Sequence, residues 1–313
     1  MKNLIKRFIK TYLMPLKFLG VNFIETDETE KFLLAKIIIS DIIKKAEINT
    51  LSEVEFKVFS QWGEDGIIQY LISKISIPNK VFIEFGVGNY KESNTRFLLM
   101  NNNWKGLVID CFDEYIKYIR HDPIYWKYDL IAVSSFITRE NINTLLSSND
   151  FTGDIGLLSI DTDGNDYWIW KEIDVIMPRI VVIEYNSCFG PYISVTIPYQ
   201  DDFVRTKAHY SNLYFGASLK AIVELGKEKG YVFIGANSAG NNAFFLRKDV
   251  ANNFKELSVE EGFIESKFRE SRDKNGNLTY LRGIERIKAI SGMEVYETNS
   301  NKIITLKEAG ELQ

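Results

Sequence analysis

The sequence is poor in cysteine and histidine and has no long apolar run, and each shortage excludes a class of protein. Cys111 and Cys188 are the only cysteines among 313 residues, so a disulfide framework is excluded, and no Cys/His cluster of the structural zinc type is present. No uninterrupted apolar stretch is long enough to span a bilayer. These absences predict a soluble, cytoplasmic protein.

Basic residues are not in excess either, which bears on the partners. The formal net charge is −4, whereas a general nucleic-acid binder needs a basic surface to neutralise phosphates. Residues 1–20 are nevertheless basic and amphipathic, so peripheral membrane contact and a plain packing helix are both open there. Apolar residues recur at mostly helical spacing over residues 28–47, and residues 1–50 are therefore predicted to form a helical extension.

Seven short apolar runs predict the strands of one sheet. They are Val81–Phe85, Gly106–Ile109, Leu130–Val133, Ile155–Ile160, Ile180–Ile183, Tyr231–Ile234 and Ala243–Leu246. Most of the first five are separated by segments long enough for a crossover helix, which favours a parallel sheet with helices on both faces. The turn Asn237–Asn242 is too short for a crossover, so the last two strands should pair antiparallel. An α/β, Rossmann-like sheet of seven strands with one antiparallel strand is typical of the class I methyltransferase fold.

The predicted sheet also sets the domain limits. Residues 51–250 should form the Rossmann-like domain, and residues 251–313 a C-terminal extension with a charged helical pattern at Val259–Ser271. Within the domain, residues 187–218 are long enough to form a substrate lid or a wall of the acceptor pocket, and we expect them to face the substrate. The aromatic residues of this segment include Tyr192, Tyr199 and Phe215.

The first predicted strand ends in an acidic residue and two glycines, Glu84, Gly86 and Gly88. Glycines at the carboxyl end of a strand let the backbone approach a nucleotide closely, although a tight structural turn explains the same pattern. Lys91 replaces the third glycine of the dinucleotide fingerprint, so an adenosine donor without a pyrophosphate fits better. This favours S-adenosylmethionine, whose ammonium group Glu84 could hold.

Asp110 lies at the end of the second predicted strand. A carboxylate there suits hydrogen bonding to ribose hydroxyls, and a helix N-cap is the alternative. Cys111 would touch the adenosine because it follows Asp110 directly. Cys111 and Cys188 follow strands two and five and should lie about 14 Å apart, beyond the reach of a disulfide.

Several motifs resemble, in order, those of the FkbM-like methyltransferases. They are Phe59-Ser60-Gln61-Trp62-Gly63-Glu64-Asp65-Gly66, Phe82–Gly88, Asn94-Thr95-Arg96, Trp104–Asp110 and Leu158–Tyr167. The resemblance covers roughly residues 56–248. It implies an S-adenosylmethionine-dependent enzyme that methylates a hydroxyl of a sugar, a polyketide or a surface-polysaccharide precursor. A phosphate or phosphoramidate group as the methylated group is also open.

The resemblance further implies donor contacts on both sides of the first strand. In such enzymes the chain before this strand folds over the donor's methionine end, so Gln61 is expected to bind its carboxylate and Asn94 to contact the same ligand. The alternative for Gln61, together with Glu64 and Asp65, is an exposed helix start with an acidic first turn.

Strands four and five are followed by a crowd of polar side chains. These are Asp161, Asp163, Asp166, Glu184 and Asn186. Such a crowd is costly to bury without cations or hydrogen-bond donors. In one interpretation, Asp161, Glu184 and Asn186 bind Mg²⁺ or Mn²⁺, which lowers the pKa of an acceptor hydroxyl. In the other, Asp161, Asp163 or His209 removes the acceptor proton, and Asp161 also contacts the donor.

Two other functions compete with methyl transfer to a small-molecule or glycan-precursor acceptor. A dinucleotide-dependent oxidoreductase or epimerase is disfavoured by the broken glycine fingerprint and by the final hairpin strand. The second is a non-catalytic protein that binds the donor without turning over an acceptor.

Overall fold

A computed structural model describes residues 14–251 and 253–311, and the chain divides into two compact units, Met1–Ala46 and Glu47–Gln313. The first unit contains helix α1 (Met14–Ile42), which lies within the residues predicted to form a helical extension. Residues 1–13, where most of the predicted membrane contact falls, lie outside the described residues. In the described part of the chain, no helix is both long and apolar enough to cross a membrane.

The second unit is built on a seven-stranded sheet. Its strands are β1 (Val81–Phe85), β2 (Lys105–Asp110), β3 (Leu130–Ser134), β4 (Gly153–Ile160), β5 (Ile176–Glu184), β7 (Tyr231–Ala236) and β8 (Asn242–Arg247). Their order is β3-β2-β1-β4-β5-β8-β7. Strand β8 runs antiparallel to both of its neighbours, whereas the other pairings are parallel. The predicted α/β, Rossmann-like class I methyltransferase fold is therefore confirmed.

The second unit also contains helices, and those that connect the parallel strands cover the large sheet because a parallel sheet must bury both faces. The helices of this unit are α2 (Glu64–Lys74), α3 (Arg96–Asn102), α4 (Asp113–His121), α5 (Pro123–Lys127), α6 (Ile142–Ser148), α7 (Asp166–Glu172), α8 (Arg205–Ala208), α9 (Leu219–Glu228), α10 (Val259–Gly262), α11 (Ile284–Ala289) and α12 (Leu306–Glu311). Two 3-10 turns lie at Leu51–Val54 and Ser187–Phe189. The strand interiors are almost wholly buried, as β1 illustrates with Phe82, Ile83 and Phe85 at 0% exposure.

A second, three-stranded sheet was not predicted. Strands β6 (Val195–Thr196), β9 (Glu294–Glu297) and β10 (Lys302–Thr305) pair antiparallel in the order β10-β9-β6. A second hydrophobic core joins the predicted lid to the C-terminal residues, and it includes Val195, Phe203, Leu213, Phe215, Ile290, Val295 and Leu306. The segment 187–218 is thus a packed wall of the molecule.

The helix predicted over Val259–Ser271 is wrong beyond Gly262, where α10 ends. Tertiary contacts override the helical pattern: the Tyr185 hydroxyl donates to the Ile264 carbonyl at 2.6 Å, and the Lys267 amide donates to the Ala239 carbonyl at 2.7 Å. These bonds hold residues 263–268 in a non-helical path across the end of the sheet.

Candidate functional site

Three adjoining cavities lie at the carboxyl edge of the seven-stranded sheet, and Gly86 and Asp161 line all three. We name each by one carboxylate. The Asp110 cavity has a volume of about 460 Å³, the Glu84 cavity about 330 Å³ and the Glu184 cavity about 260 Å³. Open α/β sheets bind ligands at this edge, where the strand order reverses, here between β1 and β4.

Gly86, directly after β1, lies against the backbone of Asp161, directly after β4. Its φ is +71°, and a Cβ there would lie 1.6 Å from the Asp161 carbonyl oxygen, so only glycine fits. Gly88 also has a positive φ, +52°, but nothing lies within 4 Å of its Cβ position. The first glycine therefore permits the contact between strand ends, and the second leaves open space beside the turn.

Asp110 lies at the end of β2, on the wall of the largest cavity. One carboxylate oxygen accepts the Gly88 amide at 2.8 Å and the other accepts the Phe112 amide at 2.9 Å. Phe112, not Asp110, is the N-cap of α4, which removes the N-cap alternative. Burial raises the pKa of Asp110 above its ordinary value, against the lowering effect of these two amides.

The rest of the Asp110 cavity is largely apolar on one side. Phe112, Phe136 and Ile137 line it together with Cys111. Cys111 is exposed and, like Cys188, free. Because β2 and β5 are separated by β1 and β4, the two cysteines occupy the separated positions that were predicted.

Glu84 and Asn94 line the second cavity. The Glu84 carboxylate accepts the amides of Asn94 at 2.8 Å and Thr95 at 3.0 Å, so it holds the turn that follows the glycines. The Asn94 side chain donates to Ser159 Oγ on β4 at 3.1 Å. Burial raises the pKa of Glu84 to about 7, and a nearby cation would lower it again.

Gln61 lines the Glu84 and Glu184 cavities from a loop that two buried carboxylates hold in place. Asp65 Oδ2 accepts the amides of Val58, Phe59 and Ser60 at 2.7–2.9 Å. Glu64 accepts the side-chain amide of Asn237 at 2.6 Å from the β7–β8 turn. Glu64 and Asp65 are at most 1% exposed, so the alternative of an exposed acidic helix start is wrong for both.

Three carboxylates meet where β4 and β5 end. Asp161, Asp163 and Glu184 each place one oxygen within 4.8 Å of the others. Burial and the Asp163 charge raise the pKa of Asp161, while burial and the Asp161 charge raise that of Glu184. Glu184 Oε2 is buried without a hydrogen-bond partner. The nearby Asp166 instead accepts the amides of Thr162 and Gly164 and shapes the loop after β4.

Arg205, which the sequence did not single out, neutralises part of this cluster. Its Nη1 lies 2.7 Å from Asp163 Oδ1, and its Nε donates to the Asn212 carbonyl at 3.0 Å. The guanidinium packs 3.8 Å above the ring of Phe215. Arg205 begins the short helix α8 within the predicted lid, where no periodic pattern in the sequence points to it.

Asn186, a predicted metal ligand, instead forms hydrogen bonds to the backbone. Asn186 lines the Glu184 cavity, but its amide donates to the Leu213 and Phe215 carbonyls and its Oδ1 accepts the Cys188 amide at 3.0 Å. It therefore fixes the backbone that follows β5, and a metal-ligand role gains no support.

His209 lines none of the three cavities. Its Nδ1 lies 2.7 Å from Ser211 Oγ and its ring stacks on Tyr210. Burial lowers its pKa. The structure therefore does not bring His209 to the carboxylate cluster.

The predicted lid and the C-terminal extension contribute differently from expectation. Of the aromatic residues expected to shape the pocket, Phe215 lines a cavity, whereas Tyr192 is 61% exposed and Tyr199 bonds Glu140. The C-terminal residues that line cavities are Ser266, Phe268, Glu270 and Arg286. No signal in the sequence connected them with the sheet edge.

No protein-family model matches the chain, and no curated protein sequence matches it. Several solved structures are loosely similar. TrmK of M. capricolum, solved with S-adenosylhomocysteine, is 10% identical, with a TM-score of 0.35 over 59% of this chain and 69% of its own. An S-adenosylmethionine-dependent methyltransferase from Clostridium acetobutylicum is 10% identical, with a TM-score of 0.38 over 58% and 89%.

A putative sarcosine dimethylglycine methyltransferase from Galdieria sulphuraria is 12% identical, with a TM-score of 0.34, and the alignment covers 50% of this chain and 56% of that protein. The assignment of the fold rests on the strand order described above.

Proposed function

We propose that this protein is an S-adenosylmethionine-dependent methyltransferase. The observation that carries the proposal is the continuity of the three cavities through Gly86 and Asp161. A donor of this kind has an adenosine end, an amino-acid end and a methyl group between them. The Asp110 and Glu84 cavities suit the two ends, and the Glu184 cavity suits the acceptor.

The residues present fit the donor. Asp110 has acceptor capacity left for ribose hydroxyls beyond the two amides it binds. The apolar wall with Phe112 and Phe136 suits an adenine ring. Glu84 supplies a carboxylate for the ammonium group, and Gln61 a side-chain amide for the donor carboxylate. S-adenosylmethionine would supply an electrophilic methyl group on a sulfonium.

The Asp161 and Glu184 pair is the base in this proposal. The pair would take the proton of the acceptor hydroxyl, whose oxygen would receive the methyl group that the donor supplies. A carboxylate whose pKa is raised by burial is a stronger base than an ordinary one, and general bases contribute about 10²–10⁴-fold. Asp163 is less suited because it already pairs with Arg205. Holding the two reactants in line supplies most of the remaining acceleration.

A divalent cation is the alternative occupant of the carboxylate cluster. Asp161, Asp163 and Glu184 offer the oxygen ligands that Mg²⁺ or Mn²⁺ takes, and the ion would act as a Lewis acid toward the acceptor oxygen. The Arg205–Asp163 ion pair favours the arrangement without a cation, because Arg205 neutralises an oxygen that the ion would need.

The sequence resemblance to FkbM-like methyltransferases supports a sugar or other small hydroxylated acceptor, such as a surface-polysaccharide precursor. Aromatic side chains at the Glu184 cavity, Phe215 and Phe268, suit a sugar face. A cytoplasmic location stays a prediction.

Calorimetry with S-adenosylhomocysteine and with NAD tests the donor assignment. We expect micromolar-range affinity for the first and none for NAD. Tight NAD binding without S-adenosylhomocysteine binding would instead favour the oxidoreductase interpretation. Donor binding without methyl transfer to a panel of sugars and sugar phosphates would favour a non-catalytic donor-binding protein.

Titration with Mn²⁺, followed by its electron paramagnetic resonance signal, tests the cation. Wild type, Asp161→Asn and Glu184→Gln are compared with Asp202→Asn, which removes an exposed carboxylate outside the cluster. Binding that is lost in the first two variants and kept in the control would place an ion in the cluster. Equal, weak binding in all four proteins would leave the carboxylate pair as the base.

A further inference from the structure

The Glu184 cavity is lined by a second arginine, Arg286, which is buried. Arg286 lies in the first turn of α11 and is 6% exposed. Its Nε is buried without a hydrogen-bond partner. Among the described side chains, those of residues 28–251 and 253–311, no carboxylate forms an ion pair with its guanidinium, whereas Arg205 on the same cavity is paired with Asp163.

A buried arginine without a partner is energetically unfavourable unless a ligand binds to it. A buried charge without a partner destabilises a protein, and buried arginines are normally paired or hydrogen-bonded. The equally buried Arg96 lies 3.6 Å from Asp122, and the half-buried Arg179 and Arg247 both bind Asp154 at 2.6–2.7 Å. Arg286 departs from this rule at a cavity wall, which points to an anionic ligand as the missing partner.

We propose that Arg286 binds an anionic oxyacid group, a phosphate or a carboxylate, of the methyl acceptor. The inference rests on the proposed function and specifies its substrate class: a hydroxylated molecule that carries a negative group. Guanidinium groups bind such oxyanions through paired N–H donors. Arg205 adds positive charge to the same cavity.

The opposite charges of the cavity would orient this acceptor. Asp161 and Glu184 line the cavity at the ends of β4 and β5, and Arg286 lines it from the C-terminal helix α11. An anionic group is repelled by the carboxylates and attracted by Arg286, so the hydroxyl is left to face the carboxylate pair. Binding at Arg286 therefore selects both the acceptor and the end of it that reacts.

The donor's own carboxylate is the competing partner for Arg286. The cavities assigned to the donor are not lined by Arg286, whereas Gln61 lines the Glu84 cavity and is available to that carboxylate. This places Arg286 on the acceptor side.

The test is titration with inorganic phosphate, followed by phosphorus NMR, with S-adenosylhomocysteine present. Acetate in a parallel calorimetric titration distinguishes a carboxylate site from a phosphate site. Arg286→Gln is compared with Arg282→Gln, which removes an exposed arginine from the same segment. We expect Arg286→Gln to weaken binding of phosphate, acetate or both by about tenfold or more, the scale of a lost charge-assisted pair, and Arg282→Gln to match wild type.

Thermal unfolding separates a binding role from a structural one. Without ligand, Arg286→Gln should melt at the wild-type temperature or above, because an uncompensated buried charge is removed. If this variant fails to fold, Arg286→Lys, which keeps the charge without the planar fork, should still weaken anion binding.

Three results would overturn the proposal: phosphate and acetate binding that is equal in wild type and Arg286 variants, the absence of anion binding in wild type, or a loss of S-adenosylhomocysteine affinity in Arg286→Gln. The last would assign Arg286 to the donor. Failure of wild type to bind S-adenosylhomocysteine would contradict the proposed function instead, and Arg286-dependent phosphate binding would still support the anion subsite.

Discussion

Replacing Asp110 by alanine tests the donor site at the residue that is best placed for it. The Asp110 carboxylate has about four lone-pair positions, and the amides of Gly88 and Phe112 use two of them. The remaining capacity is available to the two ribose hydroxyls. The substitution therefore removes two kinds of bond at once, and stability and affinity have to be measured separately.

The expected change in affinity follows from the charge of the Asp110 carboxylate, which accepts the hydrogen bonds. Hydrogen bonds to a charged group contribute about 1.5–3 kcal/mol, so loss of the ribose bonds should weaken S-adenosylhomocysteine binding about 10- to 150-fold. The two orphaned amides should cost roughly 1–3 kcal/mol of folding stability, because both hydrogen bonds are partly buried. Protonation removes the charge from these hydrogen bonds and so weakens binding in the same direction as the substitution. Since burial raises the pKa of Asp110, affinity should fall on acidification at a higher pH than for an ordinary aspartate.

Calorimetry with S-adenosylhomocysteine measures the affinity, and urea unfolding measures the stability. Asp113→Ala is the matched control, because it removes a nearby carboxylate whose side chain is 58% exposed and bonded to Lys117. The control should bind as wild type does. An affinity of Asp110→Ala within threefold of wild type, with the variant folded, would refute the assignment of the ribose to Asp110.

Two further substitutions test residues that shape the backbone around the cavities. Gly86→Ala should prevent S-adenosylhomocysteine binding, and it should lower stability by more than Gly88→Ala does. The reason is that the first adds a clash with the Asp161 carbonyl, whereas the second adds only left-handed strain of about 1–2 kcal/mol. Equal losses of stability in urea unfolding would contradict this. Asp65→Ala should lose at least 3 kcal/mol of stability, about 1 kcal/mol or more for each of three orphaned amides, while exposed Glu114→Ala should lose almost none.

The large sheet could be predicted because its signals are local. Each strand is a short apolar run, and the length of each connection decides whether the next strand can be parallel. The turn at Asn237–Asn242 fixed the one reversed strand in the same way. The small sheet gives no such signal: β6 has two residues, and its partner β9 lies about a hundred positions further along the chain.

The residues of the candidate site show the same difference between local signals and long-range packing. Gly86, Asp110 and Asp161 follow predicted strands directly, so topology alone brings them to one edge. Arg205 and Arg286 come from segments without periodicity, and only the packing of the second core places them at the cavities. Sequence reasoning therefore found the acidic half of the site and missed the basic half.

The carboxylates at the ends of β4 and β5 look alike in the sequence and differ in the structure through their partners. Asp166 accepts hydrogen bonds from the amides of its own loop, and Asp163 forms an ion pair with Arg205. Asp161 and Glu184 are left as a buried pair, and Glu184 Oε2 has no hydrogen-bond partner. The partner that each carboxylate finds determines which one stays available for chemistry, and the partner of Asp163 lies 42 positions further along the chain. A count of acidic residues at a strand end can therefore locate a centre, whereas the choice of its reactive pair requires the fold.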